Sequence, residues 1–410
     1  MATRHAKPTT VITDTQKINE VLSIGVETVS VKEHLREMLQ SGKVLRIKLG
    51  IDPTGPLIHV GRATILWKLR QFQDLGHQIV LIIGDFTAQI GDASDKQAMR
   101  QPMTLAAIKQ NMKQYAQQLG LILDMKKVEL RHNSEWLGKL KPNELVQLAM
   151  NFSVQQMINR RNFKERWNAQ KEIGLHELLY PLFQGYDSVA VRADVELGGS
   201  DQLFNLMAGR KLQELYGQKP QDVMTMEMIY GLDGRKMSTS WGNIITITDT
   251  PQNQYGLIMS LRDELLKNYL LLVARMEPRE VQRIIRTMKS GELSALDVKK
   301  MLAKKVVSLY HSPREAERAA AAFKKTFAQK EVPDDVPAYP LKQRAIALLD
   351  LLVALQLSSS KSDAKRLVEE GAVRVWEDGV WKKLDDWKAS LIPQSGQVFK
   401  AGKRKFAQIQ

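Results

Sequence analysis

The chain has 410 residues, 43% hydrophobic and 26% charged, enough for two or three domains rather than one small module. Its 60 Lys and Arg against 45 Asp and Glu leave a net charge of +15, which makes polyanions the first partner class. No apolar run approaches the roughly 20 residues that a bilayer crossing needs, and the lack of Cys removes disulfides, thiolate metal sites and cysteine nucleophiles together.

The first twenty residues mix charge, Pro and Thr, with no apolar core and no small-residue cleavage signature. That argues against export and makes the cytoplasm the expected compartment. From about Val44 to Tyr230, short apolar runs bounded by Gly and Asp alternate with amphipathic stretches, the pattern of a βαβ parallel sheet. Val44 to Leu49 and Gln78 to Ile83 read as buried strands. Between them Ile65, Leu66, Leu69, Phe72 and Leu75 share one helical face, and Gly76 stands where a glycine stops a helix.

The periodicity is helical from Pro251 to Gln329, with Lys and Arg on the polar faces. Glu331 to Pro340 then carries three prolines in ten residues, which favours an extended connector. The remaining unit, Leu341 to Gln410, holds 13 Lys and Arg against 8 Asp and Glu, so +5 lies in about a sixth of the chain.

Several segments can carry chemistry. The stretch Leu49-Gly-Ile-Asp-Pro-Thr-Gly-Pro-Leu-Ile-His-Val-Gly-Arg62 joins the first strand to the first helix, at the sheet edge where α/β folds bind ligands. His59 there can donate to a phosphate beside helix N–H groups, and Gly61 permits close approach. By itself His-x-Gly reads equally as a loop histidine before a packing glycine. Gly231-Leu-Asp-Gly-Arg-Lys-Met-Ser-Thr-Ser240 is mobile by composition and offers an ammonium and hydroxyls to phosphates, or is a solvated surface loop. Tyr180, Gln184 and Asp187, at i, i+4 and i+7, project to one side of a helix. On spacing alone, that face either holds a polar ligand or meets water. Ser360-Lys-Ser-Asp-Ala-Lys-Arg-Leu-Val-Glu-Glu-Gly-Ala-Val-Arg-Val375 reads as a basic helix, a glycine turn and a strand, followed by Gly402-Lys-Arg-Lys-Phe406. Lys361, Lys365 and Arg366 cluster there, suited to RNA phosphates or simply to solvation.

The first two segments, roughly 170 residues apart, together resemble the paired His-Ile-Gly-His and Lys-Met-Ser-Lys-Ser signatures of class I aminoacyl-tRNA synthetases. Tyr-x-x-x-Gln-x-x-Asp followed by Gly-Gly-Ser-Asp-Gln202 resembles the amino-acid pocket of the tyrosyl branch, and Ile90-Gly-Asp-Ala-Ser94 its second sheet-edge loop. The C-terminal unit resembles the small RNA-binding domain of a ribosomal protein that also ends bacterial members.

The resemblance implies an α/β fold. A Rossmann-like catalytic domain (1–245) precedes an α-helical tRNA-contacting domain (246–330), a linker (331–340) and a small α+β RNA-binding domain (341–410). It implies a tyrosine–tRNA ligase that forms tyrosyl-adenylate from ATP and passes tyrosine to the terminal adenosine of its tRNA, as a homodimer. The alternative is a degenerate paralogue that binds RNA without aminoacylation. Mg²⁺ accompanies ATP and pyrophosphate, with no dedicated protein site.

By the same resemblance, Thr54, His59 and Lys236 are catalytic, and His59, Gly61, Asp201, Lys236, Met237 and Ser238 bind ATP. Asp92, Tyr180 and Gln184 hold the tyrosine ammonium, Gln202 its carboxylate and Asp187 its phenol, while Lys361, Lys365 and Arg366 bind RNA. Three positions depart from the pattern. Arg62 stands for the second His of the first signature, Thr239 for the second Lys of the other, and Lys48 for a strand tyrosine that touches the phenol in many relatives.

Overall fold

The computed structural model describes residues 10–93, 103–238, 241–325, 332, 336–341, 345–377, 379–402 and 405–410. Ser94, Thr239, Ser240, Lys403, Arg404, and Glu331, Pro333, Asp334 and Asp335 of the proline-rich stretch lie outside the described residues. The chain divides into two compact units, Met1–Thr248 with Arg262–Thr287, and Asp249–Leu261 with Met288–Gln410.

The first unit is built on six strands: β1 (Val26–Val29), β2 (Arg46–Ile51), β3 (Gln78–Ile83), β4 (Val128–His132), β5 (Val195–Gly199) and β6 (Asp222–Met226). Their order is β1-β6-β5-β2-β3-β4, parallel except for β1, which runs antiparallel to β6 at one edge. β1 was not legible in the alternating zone because it precedes that zone and only its two end residues are part-buried. The run Gln-Ile-Val-Leu-Ile-Ile of β3 has its apolar residues buried on both faces, as an inner parallel strand requires. β2 begins at Arg46, two residues after the expected start, because its pairing with β3 opens at Arg46↔Gln78 and Val44 is exposed.

Helix α1 (Val60–Asp74) follows β2 and buries Leu66, Leu69 and Phe72. It ends at Leu75, and Gly76 takes φ +94°, a conformation that side chains rarely adopt. Two further helices matter for the site: α2 (Arg161–Asn168) and α3 (Leu175–Val191). Arg166 of α2 meets Glu177 of α3 through two hydrogen bonds, at 2.9 and 2.8 Å, both side chains fully buried. Glu177 also accepts from the Gly174 N–H at 2.9 Å, which caps the first turn of α3.

In the second unit, α4 (Pro251–Met259), α5 (Ala295–Tyr310) and α6 (Pro313–Phe323) pack together, with Tyr255 against Phe323 at a ring separation of 5.4 Å. Between α4 and α5, residues 263–273 form short 3₁₀, α and π segments that group with the first unit. The C-terminal part contains β7 (Ala338–Tyr339), β8 (Ile346–Ala347), α7 (Leu348–Ala354), α8 (Lys361–Glu369), β9 (Val373–Glu377), β10 (Val380–Lys383), β11 (Ser390–Leu391), β12 (Val398–Ala401) and β13 (Lys405–Ile409). β10-β9-β12-β13-β7 form one sheet and β11-β8 a small second one. Leu348, Leu351 and Leu352 of α7 and Ala364 and Val368 of α8 pack with Val373, Val375, Phe399 and Ala407 of the larger sheet.

Candidate active site

β2 has β3 on one side and β5 on the other, so the connections leaving β2 and β5 diverge at their C-terminal ends. Open α/β sheets place their ligand crevice at such a point. A cavity of about 550 Å³ opens there. It is lined by all twelve residues expected to bind tyrosine and ATP: Thr54, His59, Gly61, Asp92, Tyr180, Gln184, Asp187, Asp201, Gln202, Lys236, Met237 and Ser238.

At one end the loop after β2 meets the N-terminus of α1. His59 is the N-cap of that helix, its Nδ1 accepting the Arg62 N–H at 3.3 Å. The ring proton therefore sits on Nε2, available to an anion. Burial, then Arg62 and Lys236, lower the His59 pKa to about 3, so the ring is neutral at physiological pH. Arg62 donates to Thr54 Oγ1 at 2.9 Å and to Tyr115 Oη at 3.2 Å, and Tyr115 in turn donates to the Gly55 carbonyl at 2.9 Å. Gln118 holds the same loop by accepting from Ile58 N and donating to Pro56 O. Tyr115 and Gln118 were invisible to sequence reading, because they reach this loop across some sixty residues of chain.

The second signature closes the same end. Lys236 Nζ pairs with Asp201 Oδ2 at 3.0 Å. Asn243 accepts from Ser238 N and donates to the Lys236 carbonyl and to Asp233 Oδ1, which fixes the described part of the loop. Met237 is buried, and a Cβ on Gly61 would come within 2.9 Å of its sulfur, so the glycine of the first signature makes room for the second.

At the other end α3 presents Tyr180, Gln184 and Asp187 to the cavity, as their spacing predicts. Tyr180 donates to Asp52 Oδ2 at 3.0 Å, and Thr87 donates to Asp52 Oδ1 at 2.7 Å. Gln202 donates to Asp92 Oδ2 at 2.6 Å. Asn205 donates to the amide oxygens of both Gln184 and Gln202, each at 3.0 Å, and so orients the two amides. The Asp187 carboxylate accepts from Trp136 Nε1 at 2.8 Å and Asn133 Nδ2 at 3.3 Å. Burial raises its pKa to about 7, against the pull of Lys48 and of these donors.

Lys48 does not reach the cavity wall. Fully buried, it pairs with Glu196 Oε1 at 2.8 Å and donates to Ser188 Oγ and the Gln184 carbonyl on α3. The three basic residues of α8 belong to the second unit. Lys361 pairs with Asp350, Lys365 with Glu369, and Arg366 with Asp363 and Glu370.

Residues 40–328 match the family model described as tRNA synthetases class I (W and Y), and residues 328–409 match the tyrosine–tRNA ligase SYY-like C-terminal domain. The tyrosine–tRNA ligase of Moorella thermoacetica is 45% identical over 92% of this chain and 90% of its own length. That of Thermotoga maritima is 44% identical over 94% of both. The chain belongs to the class I tRNA synthetases, tyrosyl branch. Its fold agrees with solved members of this synthetase family. A C-terminally truncated mitochondrial tyrosyl-tRNA synthetase of Aspergillus nidulans has a TM-score of 0.62 and 20% identity, covering 76% of this chain and 93% of that one. A tyrosyl-tRNA synthetase of Archaeoglobus fulgidus, solved with L-tyrosine, has a TM-score of 0.60 over 75% of this chain and 99% of that one, at 20% identity. Synthetases of this family use ATP as a substrate.

Proposed function

We propose that this chain is a tyrosine–tRNA ligase, and that the cavity at the β2–β5 switch point binds ATP and tyrosine end to end. The observation that carries this reading is one crevice lined both by the cations Arg62 and Lys236 and by the buried carboxylate of Asp187. Nothing in the relatives or the fold favours a degenerate paralogue.

The tyrosine carboxylate attacks the α-phosphate of ATP, the bond to pyrophosphate breaks, and tyrosyl-adenylate forms. A ribose hydroxyl of the terminal adenosine of tRNA then displaces AMP and takes the tyrosyl group. No protein nucleophile is needed, so catalysis rests on positioning and on charge stabilisation. Thr54, neutral His59 and Lys236 take the leaving phosphates, and Arg62, held by Thr54 and Tyr115, adds the bidentate cation that a second histidine would not supply. Lys236 exchanges its partner Asp201 for phosphate, which frees Asp201 to hold the ribose. Gly61, Met237 and Ser238 shape the ATP side. Asp92, Tyr180 and Gln184 take the ammonium, Gln202 the carboxylate and Asp187 the phenol. Mg²⁺ enters as part of the ATP substrate, and no step is assigned to it.

The proposed domains are catalytic (1–245), helical and tRNA-contacting (246–330), linker (331–340) and RNA-binding (341–410), with Lys361, Lys365 and Arg366 among the RNA contacts. A homodimer fits the exposed Val146, Met150, Val154, Trp167 and Leu175, all in one stretch of thirty residues. We place the enzyme in the cytoplasm. Among the described residues, no helix is long and apolar enough to cross a membrane.

Tyrosine-dependent exchange of pyrophosphate into ATP tests the reading, with Lys236→Ala as the inactive control. Asp187→Ala should lose tyrosine exchange most, because a site built around a substrate hydroxyl depends on that contact, the tyrosyl enzymes being the standard illustration of the rule. Wild-type exchange no faster than the Lys236→Ala control would refute it.

A further inference from the structure

The C-terminal sheet has one face packed on α7 and α8, and its other face is chemically unusual. Strand alternation puts Arg374 and Trp376 of β9, Trp381 and Lys383 of β10, Lys400 of β12 and Phe406 of β13 on this outer side. Their alternates Val373, Val375, Phe399 and Ala407 belong to the core. Trp381 lies directly across from Trp376, at a ring separation of 5.0 Å, and Phe406 is 5.7 Å from Trp381. All three rings are only part-buried.

Beside the rings runs a row of cations. Lys383 pairs in register with Arg374, and Arg374 with Lys400. Like charges directly opposite one another destabilise a sheet, so the row needs a compensating anion or a purpose. Lys383 has only a loose contact with Asp385 at 3.8 Å, between two exposed groups. Among the described residues no carboxylate pairs with Arg374 or Lys400, and Lys400 lies over the Trp381 ring at 4.2 Å. The basic residues of α8 contrast with this, since each has an acidic partner.

We infer that this outer face is an RNA-binding surface, which stacks unpaired bases of the tRNA on Trp376, Trp381 and Phe406 and takes the flanking phosphates on Arg374 and Lys400. Aromatic platforms bordered by cations are how proteins hold single-stranded nucleic acid, because every base has a π-face and every linkage a charge. A polyanion also relieves the repulsion along the row, which an apolar protein partner would not. The inference rests on the ligase reading only for the identity of the RNA.

The test uses the full chain and a transcript of the tyrosine tRNA, with binding followed by fluorescence anisotropy. Trp376→Leu and Trp381→Leu keep an apolar side chain but lose the π surface. Each should weaken tRNA binding by about 5- to 150-fold, the range of one lost base–aromatic stack, while Trp381→Phe stays close to wild type. Arg374→Ala and Lys400→Ala should each flatten the plot of log K against log salt by about one. A fully paired RNA duplex, whose bases are hidden, should be indifferent to both Trp→Leu changes. Tyrosine-dependent pyrophosphate exchange should be unchanged in every variant, which reports an intact catalytic unit. Its absence from the wild type would count against the ligase reading without touching this one. Should Trp381→Leu lower the melting temperature, Trp376→Leu and the two cation variants carry the test. Wild-type tRNA affinity and salt slope in those variants would overturn the inference, as would an equal loss on the duplex. The aromatic face would then fall to a protein partner.

Discussion

Asp187 carries the sharpest residue-scale consequence. Burial lifts its pKa to about 7, so the carboxylate that should accept the phenol's hydrogen bond is fully formed only above that pH. Tyrosine kcat/KM in the exchange assay should therefore rise with pH up to about 7 and flatten beyond it. His59, neutral down to about pH 3, adds no inflection to that range. Lys48 is the leading group opposing the rise in the Asp187 pKa, acting from behind α3 without touching the cavity. Lys48→Met with Glu196→Gln removes both charges of the buried pair and leaves no orphan ion. Glu196 itself raises the Asp187 pKa, but less than Lys48 lowers it, so in that double variant the inflection should still move to higher pH. A variant that lost rate with the inflection in place would show Lys48 to be merely structural.

At the scale of elements, α3 carries Tyr180, Gln184 and Asp187 into the cavity, and the buried Arg166–Glu177 pair ties its first turn to α2. Removing one partner of a buried pair strands the other charge, at a cost of about 3–5 kcal/mol, whereas replacing both by apolar groups is far milder. Arg166→Met should therefore lower stability by that order and raise the KM for tyrosine. Arg166→Met with Glu177→Leu should recover most of the stability, less the lost cap on Gly174. Urea melts of Arg166→Met, of Glu177→Leu alone and of the double variant would check this, and simple additivity would contradict it. This helix was legible in sequence because Tyr180, Gln184 and Asp187 repeat with its period. β3 and α1 were legible for the same reason, one from its apolar run and one from its apolar stripe and stop glycine. What stayed hidden was contact between distant segments. Asp52 bridges Thr87 and Tyr180, Arg62 finds Tyr115, and Lys48 faces Glu196 rather than the phenol. No local pattern encodes such pairs, since each depends on which strand ends the topology brings together.

Across the whole molecule the net charge is unevenly spread. Residues 341–410 hold +5, and residues 246–330, with 16 Lys and Arg against 9 Asp and Glu, hold +7. The helical stretch thus matches the C-terminal module in charge per residue, although several of its cations are locally paired, as Lys304 is with Glu317. Such exposed pairs are weak and give way readily to phosphate. RNA affinity scales with the number of phosphates neutralised and falls linearly in log salt, so each part should contribute its own share of the slope. A chain ending at Pro340 should bind the tyrosine tRNA more weakly than the full chain, yet keep a clear salt dependence, with a slope reduced rather than abolished. Filter binding between about 50 and 200 mM salt resolves the difference, since a few phosphate contacts change affinity by orders of magnitude over that range. If the shortened chain showed no salt-dependent binding at all, the C-terminal module would be the sole RNA contact and the charge on the helices mere solvation.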